Sequence, residues 1–256
     1  MYTPSFRVKK NGVPILSKEN IEIIGENFIR DFCPDALKIP QAINIDDFVE
    51  LYLGMTIDYQ YLSNDGRYLG MTVFNDTDKV IIYDPERNEA DYLHADARTV
   101  LIDNSLLADN QGHRYRYTMG HEGAHDIFHS GYYSYDPNQI SMFGCLDTAP
   151  MVQCREKPLS PMPRVKGKWT DIEWMEWQAN FLSSVLLMPK EAVRMVVATK
   201  KQKNPTMRAM AMIQAVSRTF DVSPEAAKYR LQELGHIDNN IGNVGFLNAG
   251  IVFPNA

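Results

Sequence analysis

The chain of 256 residues lacks any run approaching the roughly 18 consecutive apolar residues that a membrane span needs. Its opening residues carry no apolar stretch of signal-peptide length, so secretion is not expected. Cysteine is scarce: Cys33, Cys145 and Cys154 are three, an odd number that excludes a simple disulfide framework. A reducing cytoplasm is the compartment that follows. An excess of positive charge is missing too, and the net charge of -6 argues against nucleic acid as the main partner. No internal repeat is found. What remains is 45% hydrophobic and 23% charged residues, the make-up of a soluble globular protein able to bury a core. The charge is uneven, with nine Lys/Arg against three Asp/Glu between residues 190 and 230. Such a run reads first as a solvated helical surface.

Periodicity predicts an α+β organisation. Ile21, Ile24, Phe28 and Phe32 recur at helical spacing over 18–32, with Ser17 as cap, and a short helix is expected at about 45–53. Runs at 55–62, 68–74, 79–83 and 98–102 are β-branched or aromatic, with connections too short for helical crossovers. They predict a small, mainly antiparallel sheet. A helix is expected from a cap at Thr118 to Ser130, with Gly131 as its stop. The stretch 132–168 is rich in Pro, Tyr, Gly and Met without periodicity and reads as a long loop insertion. Helices are expected again at 170–188, 190–199, 205–220 and 223–234. The division expected is an N-terminal helical extension at 1–40, a main domain at 41–236 and a tail at 237–256.

The chemistry concentrates in His121-Glu122-x-x-His125. Residues four apart lie one turn apart on a helix face, so both imidazoles can reach a single Zn²⁺. Glu122 can then take a proton from water acidified by the ion. A third ligand is needed. His129 is tempting, but His121 to His129 spans about 12 Å of helix, too far to share one ion. The glycine turn used by another metalloprotease pattern is also missing, since position 128 is Phe. His129 is expected instead to form hydrogen bonds near the helix end. Glu176 is the better ligand, with Asn180 one turn on and placed to orient a zinc-bound histidine. Glu173 shares that face and is the runner-up. Tyr132, Tyr133, Tyr135 and the histidines are candidates for stabilising an oxyanion.

The run from Arg114 to His125, the run Glu176-Trp177-Gln178-Ala179-Asn180-Phe181-Leu182, and Leu186-Leu187-Met188-Pro189 resemble the ImmA/IrrE family of metallo-endopeptidases. Phe220-Asp221-Val222-Ser223 and the run from Arg230 to Gly235 resemble that family's C-terminal helices. The resemblance implies a zincin-like fold, its sheet packed on the active-site helix and C-terminal helices following. It implies His121, His125 and Glu176 as zinc ligands and Glu122 as catalytic base. It also implies a protein substrate, a helix-turn-helix repressor whose cleavage releases transcription; such peptidases are often encoded beside their repressor. The segment 132–168 departs from the family pattern.

Other expectations compete. A substrate strand is expected to add at a sheet edge, with 98–102 as the candidate edge. Cys145 and Cys154 could hold a second metal or cap the zinc, although their spacing fits no standard knuckle and ordinary loop cysteines are the simpler reading. The Trp and Met residues of 174–188 read as core. Helices at 205–235 allow a DNA-binding helix-turn-helix, and a zinc-bound protein that holds a repressor without cutting it is a further alternative.

Overall fold

A computed structural model describes residues 1–133, 151–155, 169–200 and 202–238, with only the backbone at 151–155. Tyr135, Cys145 and the tail beyond 238 lie outside the described residues, and of Cys154 only the backbone is described.

The architecture is α+β, as the sequence predicts. Helix α1 (Lys18–Phe32) opens with a reciprocal capping box between Ser17 and Asn20. Its buried face (Ile21, Ile24, Phe28, Ile29) joins the main core. A short helix, α2 (Ile45–Asp47), is capped by Asn44 and runs on as a π turn, Phe48–Tyr52. Five strands follow: β1 (Thr56–Gln60), β2 (Tyr68–Val73), β3 (Thr77–Asp84), β4 (Glu89–Ala95) and β5 (Thr99–Asp103). Then come α3 (Gly112–Tyr133), β6 (Met151–Arg155), α4 (Asp171–Leu187), α5 (Lys190–Ala198), α6 (Pro205–Phe220) and α7 (Pro224–Glu233). Among the described residues no helix is long and apolar enough to cross a membrane.

The main sheet has the order β1-β5-β2-β6, and β3 and β4 form a separate hairpin. Only β1 and β5 run parallel; β5 with β2, and β2 with β6, are antiparallel. Gly70 and Thr72 of β2, with Val100 and Ile102 of β5 opposite them, share one face of the sheet. Met71, Val73 and Leu101 point the other way, into a smaller core with Val80 of the hairpin. Both faces are therefore covered.

Several expectations change here. The 98–102 run is no edge: β5 pairs on both sides, and its five residues are all buried. Burial of every residue of β5, Thr99 and Asp103 included, marks an inner strand covered on both faces. The outer positions belong to β1 and β6. Strand β6 arises inside the segment expected to be structureless, and β4 was hidden by its polar, exposed residues. Helix α3 begins at Gly112 rather than at Thr118, which is buried inside it. It also passes Gly131, because the Asn75 amide donates to the Tyr133 carbonyl at 2.8 Å and Phe74 stacks on the Tyr133 ring. Tertiary contacts override the local stop signal.

Candidate metal centre

Helix α3 is buried almost without interruption from Thr118 to Asp126 and again at Phe128 and His129. That leaves little amphipathic period and places the motif in the protein interior. Close approach of neighbours makes this possible. A Cβ at Gly120 would lie 2.7 Å from Ser183 Oγ of α4 and would displace the hydroxyl that donates to the Tyr117 carbonyl. On the opposite strand, a Cβ at Gly70 would lie 2.7 Å from Glu122 Oε1. The helix is pinned laterally by Arg98, whose guanidinium donates to both Asp126 carboxylate oxygens (3.2 and 2.8 Å) and to the Leu53 carbonyl (2.6 Å).

His121, His125 and Glu176 bring one donor atom each into a single cluster, all within 4.8 Å of one another. The two Nε2 atoms are 3.0 Å apart, and each lies 3.4 Å from a Glu176 carboxylate oxygen. Donors bound at about 2.0–2.1 Å to one tetrahedral ion stand about 3.3 Å from each other. The residues therefore fit a divalent ion in both donor chemistry and spacing. The capping box of Thr170 and Glu173 starts α4 and fixes the turn that presents Glu176.

Glu122 sits beside this cluster, fully buried. Its Oε2 accepts from Thr72 Oγ1 at 2.6 Å, while among the described residues Oε1 has no hydrogen-bond partner. Burial pushes its carboxyl up to about 7; the Glu176 charge adds to the rise, and His121 and Thr72 oppose it. Burial pushes the His125 imidazole down, against the pull of Glu176. Glu176 is held below the usual carboxylate range: burial opposes this, and the facing His125 and His121 outweigh it. Perturbed carboxyls beside clusters of metal donors are characteristic of functional sites.

The remaining candidates are placed elsewhere. Glu173 Oε2 accepts from the Thr170 N–H and hydroxyl (2.7 and 2.9 Å), so it is a helix cap and not a ligand. Asn180 turns its amide back to the Glu176 backbone carbonyl at 2.8 Å instead of reaching a histidine. His129 stays out of the donor cluster and is completely buried behind His125. Tyr133 packs with Phe74, Val13 and Met175, with Tyr132 against it. Burial raises the Tyr133 phenol, and the Glu176 charge raises it further.

Three residues near the site were missed by sequence reasoning. Gly70 and Thr72 belong to a strand whose pairing with the helix face only the fold reveals. Gln178 had a signal: it shares an apolar helical face with Met175, Ala179 and Leu182, where a polar residue has to be satisfied by hydrogen bonds.

Comparison with known families points the same way. The IrrE N-terminal-like domain model, Peptidase_M78, matches residues 155–232, a stretch that includes Glu176 and begins after the two histidines. No curated protein matches the chain. Over residues 155–232 the chain is thus similar to the IrrE N-terminal-like domain, and its His-His-Glu cluster is compatible with a zincin-like H-E-x-x-H site.

Proposed function

We propose that the protein is a zinc-dependent endopeptidase acting on a protein substrate, a helix-turn-helix repressor, and that cleavage relieves repression in the cytoplasm. The family match supports a metallopeptidase-type function. The observation that carries the proposal is the buried Glu122 Oε1 beside three donors spaced for one ion.

His121, His125 and Glu176 would hold the ion. A divalent ion there supplies Lewis acidity, polarising the scissile carbonyl and making water more acidic. Thr72 holds Glu122 Oε2 and so fixes the carboxylate, leaving Oε1 unpaired among the described residues beside Gly70. Oε1 accepts the proton of the attacking water and later returns it to the leaving amine. Burial raises the Glu122 carboxyl and so favours its taking up a proton. Gly70 keeps the strand close enough to exclude bulk water from the base without displacing it.

The test is metal analysis of the purified protein, then mass spectrometry of a repressor encoded beside it after incubation with wild type or Glu122→Gln. Cleavage by wild type alone is expected; equal cleavage by Glu122→Gln would overturn the proposal.

A further inference from the structure

His129 is the third histidine on one face of α3, too far along the helix to be a ligand and yet wholly buried. Its Nδ1 lies 3.0 Å from His125 Nδ1, and its Nε2 lies 3.1 Å from Gln178 Oε1. The Gln178 amide nitrogen donates to the Pro14 carbonyl at 3.0 Å. These contacts form a row from the metal position to the N-terminal turn, and its polarity can be assigned from each end.

From the Pro14 end, a carbonyl only accepts, so the Gln178 NH₂ must face it. The Gln178 carbonyl then faces His129, which must donate from Nε2. A neutral imidazole has one N–H, so His129 Nδ1 is an acceptor, and His125 must donate from its own Nδ1. The lone pair of His125 is left on Nε2, the atom 3.4 Å from Glu176. From the other end, a ligand nitrogen must carry a lone pair, which requires the proton of His125 on Nδ1. The two assignments agree at every link.

We propose that His129 and Gln178 are positioning residues that lock His125 as its Nδ1–H tautomer, with the Pro14 carbonyl as the anchor. The inference rests on the metal-centre reading above. It assigns to His129 and Gln178 the orienting role expected of Asn180. Partners of this kind set the ring angle and basicity of a metal-bound histidine, and losing one typically costs about 10–100-fold in metal affinity.

The substitutions His129→Leu and His129→Asn separate orientation from packing. Leucine fills the apolar volume but accepts nothing; asparagine is smaller but places a carbonyl oxygen where Nδ1 stood. Affinity is measured on the full chain with Zn²⁺ against a chelator, and geometry from the visible spectrum of the Co²⁺ form. His129→Leu is expected to bind about 10–100-fold more weakly with an altered spectrum, and His129→Asn to stay within about threefold of wild type. Gln178→Leu should shift affinity in the same direction by less. In the metal-free wild type, proton–nitrogen NMR of the imidazoles should find His125 protonated at Nδ1 and His129 at Nε2.

Equal affinity in wild type and His129→Leu, equal loss in both His129 variants, or a His125 proton on Nε2 would each overturn the proposal. If His129→Leu does not fold, the asparagine variant and the wild-type tautomers still decide it. Failure of the underlying reading looks different: the wild-type chain would itself take up neither ion.

Discussion

Two buried polar assemblies lie in this protein, and they are treated in opposite ways. Arg230 of α7 is completely buried, and its guanidinium is matched group by group. Nε donates to the Met188 carbonyl at 3.0 Å, and the two terminal nitrogens grip the Glu22 carboxylate at 2.5 and 2.9 Å. It ties α7 to α1 and to the end of α4. Glu122 is equally buried, but one of its oxygens has no partner among the described residues, and its carboxyl is pushed up to about 7. A structural charge is satisfied completely; a working one is left partly unsatisfied so that it can meet a reactant. The basic character of the 190–230 segment is also partly explained, since Arg230 is spent on an internal pair rather than on a surface.

The comparison is broken most forcefully by crossing the two sites. Glu122→Gln should lower peptide hydrolysis by at least about 100-fold while metal uptake persists. Arg230→Met should instead destabilise the fold by about 3–5 kcal/mol, because Glu22 is left unpaired. Per folded molecule its metal affinity should not change. Denaturant unfolding and metal titration on both variants check this, and a metal-binding defect in Arg230→Met would erase the distinction.

Next in size is the dependence on pH. In the metal-free protein the Glu122 carboxyl rises from an ordinary 4.5 to about 7 on folding. The folded state thus holds this proton more tightly than the unfolded chain. Its contribution to stability is complete below about pH 4.5 and is lost as pH climbs through 7. Glu122→Gln cannot titrate, so the metal-free variant should gain on wild type by on the order of 3 kcal/mol between pH 4.5 and pH 8. Parallel stability curves across that range would contradict the assignment.

Smaller effects sharpen the picture. Gly70→Ala forces a methyl to within 2.7 Å of both Glu122 Oε1 and Thr118 Cγ2. A loss of about 1–3 kcal/mol in stability is expected, with activity falling as the base is displaced. Thr72→Val removes the hydroxyl that holds Glu122 Oε2. About tenfold in kcat should go with little change in KM, since the carboxylate is freed while valine keeps the shape of the side chain.

Much of this site was legible in the sequence because its chemistry is local. His121, Glu122 and His125 follow from helical spacing, and helix rise places His129 outside the cluster that His121, His125 and Glu176 form. Glu176 could be proposed because it stands in a second strong helix. What was not legible depends on partners brought together by folding. The edge assigned to 98–102 failed because a short apolar strand does not announce how many neighbours it has. Asn180 looked suitable from spacing alone, yet its amide is satisfied by its own helix. Thr72 and Gly70 gained meaning only when β2 was laid across α3, and Gln178 only when the N-terminal turn supplied a carbonyl.

That carbonyl has a consequence for the order in which the protein becomes active. Pro14 and Gln178 are separated by 164 positions, and Glu176 follows the histidine pair by some fifty residues. A growing chain that has just completed the H-E-x-x-H helix holds the recognisable motif but neither its third donor, Glu176, nor Gln178, the link between His129 and the Pro14 carbonyl. The three-donor cluster and its support are therefore assembled late in synthesis, after α4 has emerged and closed back onto the turn that carries Pro14.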